Sequence, residues 1–507
     1  MSLADEIANW TAAGMAQRIR RREVSPVELM TAVIRRIERR NPSLNALIFS
    51  DFPAALERAR AAEAAVMSGA TLGPLHGVPT AMKDCDDFKP GWPTTCGGIR
   101  RLKTFIADSY CTYAERIEKA GAIIVGKTNS PQLGFRGTCD NYMFGPTSTP
   151  FAVGKNAGGS SGGGAAIVGD GMLPLAEGTD GGGSIRIPAA WCGVYGYKAS
   201  FGRIPCVTRP NAFAGSSPFL FEGTLTKTVE DAAIAVTALS GVNPRDPFSL
   251  NEQVDFTRDL ATSIRGWKIG YSRDLGIFPV EPAIRDVIDR AIKAFEDAGA
   301  IVEEITPEIR FSQRELSEVW CRFTGLNNLA LLESYRQRGY DILRDSPKDL
   351  PPEAHEWDRI CRSMSIADKY RDQTEVFDAI QAVMSRYRIL LTPTLAAMPV
   401  ANATDGNTLG PATINGETIN RLIGWCMTYP INFSGHPAAS IPAGLDEITQ
   451  LPVGLQIIGR RYADSDVFAA SAAFERHRPW SASYAIPNTR ALSVGRPREG
   501  AIAPKRH

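Results

Sequence analysis

Apolar residues recur along this chain with two periods, and the places where the period changes mark its elements. Leu29, Val33, Ile34 and Ile37 share one face of a 3.6-residue repeat. Ahead of them, Ser25-Pro-Val-Glu28 is a capping box with proline at the first helical position. A helix is therefore predicted from Ser25 to near Asn41-Pro42, followed by a strand over 44–49 and a helix over 54–67. The run 78–82 is short and mostly apolar and ends in Lys83-Asp84, which predicts a strand carrying a lysine into an interior. A helix over 114–120 leads into a strand at 123–125, and 283–298 followed by 301–305 repeats that order. This alternation predicts an α/β fold in which helices cover a sheet. There is no internal repeat, and residues 481–507, rich in Pro, Arg and Ala, predict a loosely packed tail.

Composition narrows the setting. With 507 residues, 44% apolar and 22% charged, the chain has material for a large core. Length alone suggests roughly three domains of about 150 residues, yet no linker divides the sequence. A net charge of +1 argues against nucleic acid or an acidic membrane as partner. The arginine runs Arg18-Ile-Arg-Arg-Arg22 and Arg35-Arg36 predict solvated helix faces. Nine cysteines, odd in number and without CxxC spacing, fit free thiols in a reducing, cytoplasmic compartment better than disulfides or a zinc site. Cys85, Cys96 and Cys192 are expected as small buried hydrophobes. No signal peptide is visible, and no stretch approaches the roughly 18 apolar residues of a membrane span.

The chemistry concentrates in residues 158–198. Two glycine-flanked serines, Ser160 and Ser184, lie there, and Lys83 reads as their partner. A serine hydroxyl needs a base within hydrogen-bond reach, and none of the five histidines lies near either serine in sequence. A desolvated lysine can serve instead, because burial favours the neutral amine. In Asp180-Gly-Gly-Gly-Ser184, residues without Cβ allow several N–H groups to converge on one spot, as an oxyanion hole requires. The segment after Ser184 reads as a helix start whose dipole adds to that site. Neither GxGxxG nor GxxxxGK[ST] occurs, so nucleotide binding is disfavoured.

GGSSGG, then GTDxGGSIRxPA and GxxGxK, preceded by GVPxxxKD, resembles the amidase signature pattern. Gly126-Lys-Thr-Asn129, Gly145-Pro-Thr147, Asn432-Phe-Ser-Gly-His-Pro-Ala438 and Leu451-Pro-Val-Gly-Leu-Gln-Ile-Ile-Gly459 extend the resemblance to most of the chain. It implies an α/β fold with a large mixed sheet covered by helices on both faces. It also implies one domain over 1–480, with a catalytic core near 75–205, a variable substrate-shaping region near 310–430, and a tail at 481–507. By position, the resemblance makes Ser184 the nucleophile, Lys83 the base and Ser160 a bridging serine after a cis Gly159–Ser160 bond. The amides of Gly181, Gly182, Gly183 and Ser184 match the oxyanion hole. Asp180 and Arg186 match a bracing pair, and Ser161 and Thr179 are support. Gly134 and Phe135 fall where relatives carry substrate-lining residues. No metal or organic cofactor is implied.

Two departures matter. The chain reads Lys198-Ala199-Ser200 where KPT is commoner, and Gly181 stands where a larger residue is usual, which predicts extra room beside the acyl pocket. The implied reaction is acyl transfer on a small amide, with aryl amides, cyclic nylon dimers, carbamates or esters as substrate classes, by a monomer or homo-oligomer. Two other readings stand beside it. One is the A subunit of a glutamyl-tRNA amidotransferase, whose SNxARYDG-type and GYYDAYY-type segments are absent. The other is a noncatalytic binding protein, which the presence of all three of Lys83, Ser160 and Ser184 opposes.

Overall fold

Ser25 caps its helix as its sequence predicts. Its Oγ accepts from the Glu28 N–H (3.1 Å), and Glu28 Oε2 accepts from the Ser25 N–H (2.9 Å). The helix Pro26–Leu44 nevertheless runs past Pro42, because proline falls in the last turn and Asn45 closes it in the left-handed conformation. The following strand, Leu47–Ser50, therefore starts later than expected. Phe52–Met67, Thr112–Lys119 and Pro282–Asp297 are helices, and Ile123–Thr128 and Ile301–Glu304 are strands, each close to its predicted place. This computed structural model describes residues 2–85, 87–209, 212–213 and 220–492.

Two sheets organise the chain. The smaller places Ile123–Thr128 between Leu47–Ser50, antiparallel, and Pro79–Lys83, parallel. The larger has eight strands in the order Leu175–Asp180, Phe221–Thr226, Tyr195–Lys198, Ala438–Leu445, Pro452–Gly459, Ile389–Pro393, Lys268–Tyr271 and Ile301–Glu304. Its pairs are antiparallel except the last two, which are parallel.

Helices cover both faces of that sheet. Successive residues of a strand point to opposite sides. Tyr195 and Tyr197 hydrogen-bond Ser471 (3.1 Å) and Asp464 (2.8 Å) on the helix Asp464–His477. Gly196, between them, faces the helix Arg186–Cys192 so closely that a Cβ would lie 2.6 Å from that of Ala189. Glycine there lets the short helix lie directly on the sheet and brings its first turn to the strand ends.

Two expectations fail in instructive ways. Arg36 is not on a solvated face: it is buried, donating to the carbonyls of Gly171 (2.8 Å) and Asp170 (2.7 Å), while Arg40 grips the Asp170 carboxylate beside it. The described part of the tail is also packed, since Tyr484 and Pro487 are buried and Arg490 lies 3.1 Å from Asp170. Buried carbonyls and a buried carboxylate supply partners that a charge pattern alone does not reveal. The expectation for residues 493–507 lies outside the described residues. No helix among the described residues is long and apolar enough to cross a membrane.

Candidate active site

Pro79–Lys83 delivers its lysine as the apolar run predicts: Lys83 is fully buried at the strand's end. Its Nζ donates to Ser160 Oγ and to Thr179 Oγ1, both at 2.7 Å. The neighbouring Asp84 is engaged elsewhere, by the Thr95 N–H (3.0 Å) and Lys127 Nζ (3.5 Å), and among the described residues no carboxylate oxygen pairs with the Lys83 amine. Gly159–Ser160 is a cis peptide, as the resemblance implies. Ser161 ties the two serine loops: its N–H donates to the Ser184 carbonyl (3.1 Å) and its Oγ accepts from the Thr179 N–H (3.3 Å).

Lys83, Ser160, Thr179, Gly181 and Ser184 line one cavity of about 390 Å³. Among the described residues no histidine lines it. The ring of His436 is buried, and burial together with Lys198 and Arg461 holds its pKa down to about 3.

The glycine loop is held from outside by side chains. Asp180 and Arg186 form a fully buried two-pronged ion pair (2.8 and 2.9 Å). Burial alone would raise the Asp180 pKa, but the Arg186 charge overcomes it and holds it at about 2. Arg186 also donates to Gln456, Asn432 and the Thr428 carbonyl. The Gly183 N–H points to Asp180 Oδ1 (2.7 Å), so this amide faces the brace. Among the described residues the N–H groups of Gly181, Gly182 and Ser184 carry no such bond. Gly183 adopts φ +122° against Thr428, a place only glycine fits, whereas among the described residues a Cβ on Gly181 would meet nothing closer than Leu220 at 3.8 Å.

A second group of acids lies beside Lys83. Ligand atoms of Asp87, Cys111 and Glu177 lie within 4.8 Å of one another. Glu177 Oε2 accepts the Lys83 N–H (2.7 Å), while among the described residues Glu177 Oε1 and Asp87 Oδ2 have no hydrogen-bond partner. Burial pushes Asp87 up to about 6 against the pull of Lys83 and Lys127, and burial with the Asp87 and Glu222 charges holds Glu177 well above the carboxylate range. Cys111 is raised well above the usual thiol value for the same first reason. Burial raises all three groups, which favours the proton over a cation and makes this trio a poor cation cage.

The substrate-lining expectations divide. Gly134 lines the cavity, and a Cβ on it would sit 3.3 Å from Ser160 Oγ. Phe135 is 1% exposed and belongs to the core; Leu133 lines the cavity instead. Leu133 has φ 56°, a turn that the sequence does not announce. Of the aromatic side chains in residues 310–430, Trp320 reaches the cavity, from the helix Gln313–Gln337. Cys85, Cys96 and Cys192 are buried as expected, and Cys85, with Cys111 and Cys206, also lines the cavity.

The comparisons with known proteins establish the family. The amidase family model matches residues 28–468. The chain belongs to the amidase family. This amidase is 33% identical over 487 residues to an acylamidase of Rhodococcus erythropolis, covering 94% of the chain and 98% of that protein. It is 32% identical over 497 residues to the A subunit of the glutamyl-tRNA(Gln) amidotransferase of Moorella thermoacetica, covering 93% and 97%. Among solved structures, a bacterial aryl acylamidase of the amidase signature family superposes with a TM-score of 0.92 at 48% identity, over 95% of this amidase and 99% of that chain. The amidase is thus a hydrolase acting on the carbon–nitrogen bonds of linear amides, built on a mixed eight-stranded sheet.

Proposed function

We propose that this amidase cleaves small amides, aryl amides foremost, through an acyl-enzyme on Ser184. The observation that carries the reading is the 2.7 Å bond from Lys83 to Ser160 in the cavity that Ser184 also lines. Lys83 accepts the Ser160 proton as Ser160 takes that of Ser184, and the freed oxygen attacks the carbonyl carbon. Lys83 then returns a proton through Ser160 to the leaving amine, which departs poorly without it, and water hydrolyses the ester formed. The N–H groups of Gly181, Gly182 and Ser184 receive the tetrahedral oxygen, and the one on Gly183 holds the brace. Ser161 and Thr179 fix the relay serine and lysine. The same intermediate serves carbamates and esters. The 48% identity to an aryl acylamidase over nearly the whole chain supports a free-standing enzyme over one component of an amidotransferase. The nine free thiols support a reducing, cytoplasmic setting.

The test is amine release from nitroanilides, primary amides and aryl carbamates by wild type and Ser184→Ala. Turnover is expected to vanish in the variant with the fold intact, and Lys83→Ala is expected to lose more on amides than on activated esters. Equal losses on both would remove Lys83 as proton donor to the leaving group. A second protein required for turnover would revive the amidotransferase reading.

A further inference from the structure

In a trans peptide the C=O of one residue and the N–H of the next point in opposite directions. Whatever holds a carbonyl therefore also aims an amide. Along the glycine loop every carbonyl is held. Asn432 Nδ2 donates to the Asp180 oxygen (2.9 Å), Trp320 Nε1 to that of Gly181 (3.0 Å) and Thr428 Oγ1 to that of Gly182 (2.6 Å). The Ile187 N–H serves Gly183 (2.6 Å). Three of these holders follow Arg186 and the strand framework. Trp320 alone comes from the helix Gln313–Gln337, which forms the substrate-facing wall with Thr324, Asn328 and Leu331.

The indole lies directly on the loop. A Cβ on Gly182 would stand 2.3 Å from Trp320 Nε1, so glycine at 182 is what lets the ring approach. Trp320 is 3% exposed, and its N–H has the Gly181 carbonyl as its partner.

We propose that Trp320 is a positioning residue for the oxyanion loop: by holding the Gly181 carbonyl it aims the Gly182 N–H, and it ties that donor to the wall that receives the substrate. The inference rests on acyl transfer at Ser184. It makes the helix Gln313–Gln337 part of the rate as well as the fit, since displacing the wall rotates a donor.

The experiment compares wild type, Trp320→Phe, which keeps a ring without the N–H, and Trp320→His, which restores a ring N–H. Each is assayed for kcat and KM on one nitroanilide. Each is also assayed for inhibition by a trifluoromethyl ketone, whose adduct with a serine carries the oxyanion, and by the matching alcohol, which forms no adduct. In Trp320→Phe, kcat and ketone affinity are expected to fall together by about 10-fold or more, with KM and alcohol affinity within about twofold. Trp320→His is expected to recover most of the loss. An unchanged kcat in Trp320→Phe, a parallel loss of ketone and alcohol affinity, or a histidine variant no better than phenylalanine overturns the proposal. Should Trp320→Phe fail to fold, a folded Trp320→His with near wild-type ketone affinity supports the assignment and one without it overturns it. Ketone inhibition that survives in Ser184→Ala would instead overturn the acyl-enzyme reading.

Discussion

Two buried carboxylates stand close to the Lys83–Ser160 bond and have opposite electrostatic fates. Asp180 meets a guanidinium with both oxygens and is held at about 2. Asp87, equally hidden, meets no cation at its Oδ2 and is pushed up to about 6, and Glu177 behind it is raised further from the ordinary range. Burial acts the same way on both sites. What separates them is a charged donor within hydrogen-bond distance. The first site stays ionic and rigid and holds the glycine loop. The second has no such donor, so its acids hold their protons to higher pH than free carboxyls do.

The sharpest way to break the contrast is to remove one partner from each side. Arg186→Met leaves the Asp180 carboxylate buried without its cation, and the loss of stability is expected to be about 3–5 kcal/mol, read as a fall in the urea midpoint. Glu177→Gln keeps an oxygen for the Lys83 N–H and replaces an acid that burial holds well above the carboxylate range. Its midpoint is expected to move by less than about 1 kcal/mol. A large loss in Glu177→Gln would mean that the second site is ionised and the contrast false.

The pH dependence separates the two sites by sign. The folded pKa of Asp180 is below its ordinary value, so its contribution is full above about 4 and is lost as pH falls toward 2. That contribution is about 2 kcal/mol. Asp87 is raised, so its contribution is full below about 4 and is lost as pH rises through 6. Unfolding measured across pH 3–7 for Asp87→Asn and wild type is expected to show the two curves running together near pH 3, with wild type falling below the variant as pH rises through 6. Divergence in the other direction would place a cation at Asp87.

The sequence carries the ionic site plainly and the neutral one hardly at all. Asp180, Arg186 and the three glycines sit in one dense motif, and their partners Asn432 and Gln456 lie in the two later segments that resemble the same family. The helix and strand order was legible for a similar reason, because caps and apolar periods are local. Glu177 lies on the strand Leu175–Asp180 and Asp87 in the loop that follows Pro79–Lys83, and nothing near either residue in sequence marks them as neighbours. Trp320 is equally hidden. Among many aromatic residues in a variable region, its Gly181 contact is set by tertiary packing. Phe135 errs the other way: alignment brings it near the site, and the left-handed turn at Leu133 sends the neighbouring side chain into the cavity instead.

The smallest effect is expected where the loop is least crowded. Gly182 and Gly183 are each pressed by a side chain within 2.3 Å of where a Cβ would stand, and neither tolerates one. Gly181 lines the cavity, has no left-handed requirement, and among the described residues its Cβ would meet only Leu220, at 3.8 Å. A serine at 181 therefore costs the fold little, with a change within about 0.5 kcal/mol. Its side chain takes space from the acyl group instead. Gly181→Ser is expected to leave kcat/KM on a short acyl anilide within about threefold and to lower it about 10-fold on a bulky one, as lost room in an apolar pocket does. The ratio of the two substrates is the measurement. An unchanged ratio would show that the open space at Gly181 is not where the acyl group lies.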